Sequence, residues 1–130
     1  MEENVLVDSS FFINRLRQRK DPFLELAEAD DKYEFYACGV VQTEVCVGML
    51  TERLYRQALR QFEIMCWVPT TSRIWERVTE VAWGLARNGI VVKVPDLIIA
   101  VSALEADAAV LTYDSDFDFV PGLRVIDRLD

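Results

Sequence analysis

Residues 94–117, VPDLIIAVSALEADAAVLTYDSDF, decide the fold of this chain. Pro95 and Asp96 open an apolar segment of helical length, as a proline near the first helical position does. A short apolar strand, Ala109 to Thr112, follows and runs directly into three acids at alternating positions, Asp114, Asp116 and Asp118. An acid in a helix's first turn and acids beyond a buried strand's C-terminal end face one another across the mouth of an α/β sheet. That placement points to a metal site.

Working outward, the rest of the chain alternates strands and helices. Asn4 to Val7 is an apolar run ending at Asp8, as a buried parallel strand does. Ser9 and Ser10 offer N-caps to a helix carrying Phe11, Phe12, Ile13 and Leu16, and Pro22 opens a second short helix. Tyr33 to Cys38 reads as the second strand. Val41, Val45, Gly48 and Met49 then recur at helical spacing, which places Glu44 near a first turn. Thr51 to Met65 is amphipathic, with Leu54, Ala58, Leu59, Phe62 and Met65 on one face. Cys66 to Val68 forms a third strand, and Ser72 caps a long helix that Asn88 and Gly89 stop. Trp75 and Trp83 widen that helix's apolar surface, either as core or as part of a subunit interface. Val120, Pro121 and Gly122 turn the chain into a last strand, Leu123 to Ile126. This alternation predicts an α/β sandwich with a mainly parallel sheet, in which ligands bind outside the carboxyl ends of the strands.

The 130 residues are enough for one domain that buries roughly two-thirds of the surface its unfolded chain exposes. No internal repeat is present, and no apolar run reaches the roughly 20 residues of a membrane span. The acidic start, MEENVLVD, predicts no export signal. Cys38, Cys46 and Cys66 form no CxxC pair and read as small thiols in a reduced, cytoplasmic compartment. The absence of histidine excludes Ser/His/Asp and Cys/His triads, a histidine general base and zinc sites with imidazole ligands. Any hydrolysis must run on carboxylates, on metal or on both. A net charge of -8 argues against a broad basic nucleic-acid surface. It is compatible with a nucleic-acid enzyme whose acids converge on divalent cations.

Four elements each present an acid at a corresponding end: Asp8, Glu44, Asp96 and Asp114. Taken singly, Glu44 and Asp96 are explained by the helix dipole and by free N–H groups. Asp8 and Asp114, however, directly follow apolar strands, where an unpaired carboxylate is costly. Magnesium or manganese relieves that cost, since both take oxygen ligands and activate water for phosphodiester hydrolysis without histidine.

LVDSS near the N-terminus, ACGVVQTEVCVGM in the middle and PDLIIAVSALEADAAVLTYDSDFDFVPGL near the end together resemble the PIN-domain ribonucleases, especially the VapC-type toxins of toxin–antitoxin pairs. The likeness runs the whole length of the chain. It implies a single PIN-like domain over residues 1–130, a three-layer sandwich with a mainly parallel central sheet of four to five strands flanked by helices. It also implies that Asp8, Glu44, Asp96 and Asp114 form the catalytic acid quartet. Asp8, Asp96 and Asp114 would ligate Mg2+ or Mn2+, with Asp116 as a fifth acid that ligates the ion or orients a ligand water, and Asp118 a solvated one. Thr112 and Ser10, with Ser9 nearby, resemble the hydroxyl residues kept beside the quartet. RNA as substrate, an antitoxin protein as partner and a homodimer are further implications.

Arg15, Arg17 and Arg19, with Lys20, read either as an RNA-backbone patch beside Asp8 or as a solvated turn, whereas Arg53, Arg56 and Arg60 read as a solvated ridge. Two other functions compete with the ribonuclease. One is a DNA or flap-type nuclease of the same superfamily, and the other a non-catalytic acidic module for a basic partner.

Overall fold

The computed structural model describes residues 2–130. In chain order the elements are β1 (Glu3–Val7), α1 (Ser9–Arg17), α2 (Pro22–Glu28), β2 (Tyr33–Ala37), α3 (Gly39–Cys46), α4 (Glu52–Ile64), β3 (Cys66–Trp67), α5 (Ser72–Arg87), α6 (Val94–Glu105), β4 (Ala109–Leu111), a 3-10 turn (Ser115–Phe119) and β5 (Val125–Ile126). The five strands form one all-parallel sheet in the order β3-β2-β1-β4-β5. This is the PIN-like α/β architecture that the sequence implies.

The sheet order positions the site. From β1 the chain moves outward through β2 to β3, then crosses back to place β4 on the other flank of β1. The direction of winding therefore reverses between β1 and β4, and a crevice opens there at the strands' carboxyl ends. Val5, Leu6 and Val7 of β1 and all of β4 are inaccessible to solvent, as central parallel strands covered on both faces must be. The edge strands β3 and β5 have only two residues each, which limits the unpaired backbone exposed at the rims.

Helix α6 is the central support. Every residue from Leu97 to Ala103 is buried, and the helix packs against α5, α3, β1 and β4. Burial on all sides suits its small and branched side chains, since a helix with a polar stripe could not occupy this place. Arg73 and Arg77, near the start of α5, pair with Glu105 at the end of α6, at 3.4 and 2.7 Å. The two helices are thus antiparallel. A second core region stacks Phe12 of α1 on Phe23 of α2 and Phe62 of α4, with centroid separations of 5.1 and 5.3 Å.

Several local expectations are refined. Asp8, rather than Ser9 or Ser10, is the N-cap of α1, and Thr71, rather than Ser72, caps α5. In both places the cap is the last extended residue, and its side chain reaches a backbone N–H two or three residues on. Helix α3 begins already at Gly39, so Glu44 lies in its second turn and not its first. That helix ends at Cys46, which leaves Val47 and Leu50 at 81% and 93% exposure. The last strand keeps only Val125 and Ile126 of the expected four residues. Trp75 and Trp83 are exposed, which removes the core reading for both.

Candidate metal centre

Strand pairing delivers the first site residues. The Asp8 N–H donates to the Leu111 carbonyl at 2.9 Å, and the Thr112 N–H to the Ile126 carbonyl at 3.0 Å. The β1–β4 and β4–β5 ladders thus extend one residue past the strands, fixing Asp8 and Thr112 side by side at the crevice. Asp8 is 3% exposed. A carboxylate at that depth must be compensated, and here hydroxyl groups begin the task.

Proton counting orders the hydroxyl network. Thr112 Oγ1 donates its single proton to Asp8 Oδ2 at 2.8 Å. The Ser10 hydroxyl, 3.2 Å from Thr112 Oγ1, must therefore donate to it. Ser10 Oγ in turn accepts the Tyr113 N–H at 3.0 Å, and Thr112 Oγ1 accepts the Asp114 N–H at 2.9 Å. The chain of donors runs Tyr113, Ser10, Thr112, Asp8, each bond polarising the next. Ser9 joins the other side, donating to Glu44 Oε1 at 3.0 Å while lying 3.5 Å from Asp8 Oδ1. Its one proton goes to the nearer acceptor, Glu44, which ties α3 to the start of α1 beside Asp8.

The remaining acids arrive from α6 and from the segment after β4. Asp96 stands in the first turn of α6. Asp114 caps the 3-10 turn by accepting the Asp116 N–H on Oδ1 at 2.9 Å. One carboxylate oxygen from each of Asp96, Asp114 and Asp116 lies within 4.8 Å of the others, and all three residues are half-buried. Asp118 is exposed and stands outside this group.

Electrostatics ties all five acids together. Burial first, and then the fields of Asp114, Asp8, Glu44 and Asp116, push the Asp96 carboxyl up to about 6. No cation is among the groups acting on it. Asp8 and Glu44, remote in sequence, therefore lie near enough to Asp96 for their fields to act on it. Five carboxylates thus gather at one crevice with no cation among the groups that act on Asp96, and this arrangement favours whatever brings positive charge into it.

The basic groups are distributed differently. Arg15 is clamped by Glu25, with Nε 2.8 Å and Nη2 3.2 Å from its two oxygens, and Nη1 donates to Asn14 at 2.7 Å. Its guanidinium lies 4.6 Å from the Phe11 ring centroid and 5.7 Å from that of Tyr113. The Glu25 bond raises its pKa further, so it stays charged. Arg17 and Arg19 are solvent-exposed, and Arg19 adopts a left-handed conformation at φ 58°. Sequence reasoning missed two features here, the Ser9 bridge to Glu44 and the Arg15–Tyr113 contact. An aromatic residue between the paired polar positions Thr112 and Asp114 was the available signal for the second.

Comparison with known proteins agrees with the architecture. A significant sequence match to any curated protein is lacking. Among solved structures, the chain resembles one in the VapBC2 complex of Rickettsia felis bound to promoter DNA, with 16% identity, TM-score 0.78, and coverage of 95% of this chain and 97% of the other. It likewise resembles one in DNA-bound VapBC from Salmonella typhimurium, with 18% identity, TM-score 0.78, and coverage of 97% and 98%. Mycobacterium tuberculosis VapC20, described as a sarcin–ricin-loop-cleaving toxin, aligns at 15% identity and TM-score 0.63 over 88% of this chain and 92% of its own. These identities speak for the fold. The PIN domain family profile matches residues 5–123, nearly the whole length from β1 to the approach to β5, and the chain therefore belongs to the PIN-domain family.

Proposed function

We propose that this protein is a divalent-metal-dependent endoribonuclease, the toxin of a VapBC-type pair, working in the cytoplasm and held in check by an antitoxin protein. The convergence of Asp8, Glu44, Asp96, Asp114 and Asp116 on one crevice, with no cation among the groups acting on Asp96, carries the reading. The donor set fits Mg2+ or Mn2+, because it is all oxygen, anionic and closely spaced, as hard cations require. Asp96, Asp114 and Asp116 would hold the ion, with Asp8 in reach. A bound divalent ion would acidify a water nucleophile and neutralise charge on the phosphodiester. The solved neighbours named above support the toxin assignment by fold.

The chain's own groups have separable roles in this reading. Thr112, Ser10 and Ser9 orient Asp8 and Glu44 by hydroxyl hydrogen bonds, so the carboxylates need little reorganisation when the substrate arrives. Glu44, bonded to Ser9 and not part of the close trio, is the group free to accept a proton from the attacking water. Arg17 and Arg19, and Arg15 to the extent that Glu25 leaves it free, supply positive charge for the RNA backbone beside α1. A homodimer would have apolar surface available in Trp75 and Trp83 of α5.

Incubating the purified protein with total RNA and MnCl2 tests the proposal. Discrete cuts that EDTA abolishes and that Asp96→Asn loses are expected. Undiminished cleavage in EDTA would contradict metal dependence, and cleavage of branched DNA in preference to RNA would replace the substrate.

A further inference from the structure

Beside the acid crevice lies a second concavity, of about 620 Å3, between the carboxyl ends of β4 and β5. Thr112 and Asp114 belong to both. Tyr113, between them, lines the concavity and is 43% exposed. Its placement is fixed from two sides, by its N–H bond to Ser10 and by the Arg15 guanidinium over its ring, itself locked by Glu25. A large aromatic ring held half in water beside a phosphodiester site does nothing for the core. The same lining carries Asp118, Asp127 and Arg128, the last 3.8 Å from Asp127 and 87% exposed.

From this juxtaposition we infer that the concavity seats the nucleobase next to the scissile phosphate, stacked on Tyr113 and read by the carboxylates of the same lining. The inference rests on the ribonuclease reading and adds to it a source of sequence preference. Single-stranded RNA is recognised by stacking splayed bases on aromatic side chains and bonding to their edges. The neutral ring of a base suits a cleft whose acidic lining would repel a second phosphate. Carboxylates accept hydrogen bonds only, so Asp118 and Asp127 match the exocyclic amines of adenine, cytosine or guanine. Uracil has no such amine, and its one ring N–H lies between two carbonyl oxygens that a carboxylate repels. The geometry therefore favours an amino-bearing base at this position and disfavours uracil.

The test starts from the cut ends that the wild-type protein leaves in total RNA with MnCl2. The strongest substrate is then made with A, C, G or U on either side of the cut, and kcat and KM are measured for wild type, Tyr113→Ala, Tyr113→Phe and Asp118→Asn. Uracil is expected to be the poorest base at one of the two positions. Tyr113→Ala should raise KM about tenfold, the loss of one base–aromatic stack, with kcat changed less. Tyr113→Phe keeps the stack and should keep the KM, which separates stacking from any folding defect in the alanine variant. Asp118→Asn should narrow the gap between uracil and the other bases. Equal rates for all four bases at both positions, or a Tyr113→Ala KM equal to that of wild type, would overturn the inference while leaving the nuclease reading intact. Absence of any wild-type cleavage would instead overturn the nuclease reading, and this inference with it.

Discussion

Asp96 combines function and instability in one side chain. Its carboxyl is held up to about 6 by burial and by four neighbouring acids. In the metal-free protein the folded state keeps this proton between about pH 4 and 6, where the unfolded chain has lost it. Folded protein then binds more protons than unfolded protein, so stability falls as pH rises through that window. Above it the penalty is complete. Asp96→Asn removes the charge, so without metal the variant should melt above wild type at pH 8, the two converging near pH 4. Its RNA cleavage should meanwhile drop by roughly two orders of magnitude or more, on the scale of removing a metal-ion contribution. Parallel melting curves at both pH values would contradict the electrostatic account.

Thr112 offers a complementary case at the same scale. Its hydroxyl donates to Asp8 and accepts from the Asp114 N–H and from Ser10. Thr112→Val keeps the shape but leaves buried Asp8 without its shortest donor, at an expected cost of about 1–3 kcal/mol. Thr112→Ser should recover most of that in a denaturant titration.

The helix ends are where elements can be improved. Helix α6 closes with Asp107 in a left-handed conformation at φ 51°, while the Ala108 N–H reaches back to the Ala103 carbonyl at 2.8 Å. The same closure after α5 uses Gly89 at φ 74°, with the Ile90 N–H bonded to the Leu85 carbonyl. Glycine adopts this conformation without the Cβ clash, and a negative charge beside a helix C-terminus opposes its dipole. Asp107→Gly should therefore raise stability by up to about 1 kcal/mol with cleavage unchanged, as thermal melting and a rate assay would show. In the core of the same helix, Ile99→Ala should cost about 2–5 kcal/mol.

Elements also show what was legible beforehand. Apolar runs ending in acids revealed β1 and β4 with Asp8 and Asp114, because an unbroken apolar run too short for a buried helix fits a parallel strand covered on both faces. The Pro95–Asp96 start of α6 was equally plain. Less visible were starts chosen among adjacent cap-formers. Asp8, Ser9 and Ser10 can all cap a helix, and only the β1–β4 ladder decides for Asp8. The helical spacing that starts at Val41 puts Glu44 near a first turn, yet Gly39 already opens the helix after an extended Cys38. The hydroxyl relay and the Arg15–Tyr113 contact span more than 90 positions of sequence and depend on tertiary packing, which no local pattern encodes.

At the scale of the whole molecule, the fold gathers negative charge at one point on an already acidic chain of net charge -8. Sheet order brings Asp8 and Asp114 together, α6 adds Asp96, and α3 adds Glu44 through Ser9. A ligand that binds only the folded state stabilises it by mass action, by roughly 2.7 kcal/mol at a hundredfold excess over its Kd. Among the described residues no helix is long and apolar enough to cross a membrane. The most direct measurement is the melting temperature of wild type and Asp96→Asn at pH 8 as MnCl2 is added. The crevice as described requires a Mn2+-dependent rise in wild type, of several degrees, that the variant loses. A wild-type melting temperature indifferent to Mn2+, or the same rise in both proteins, would contradict it.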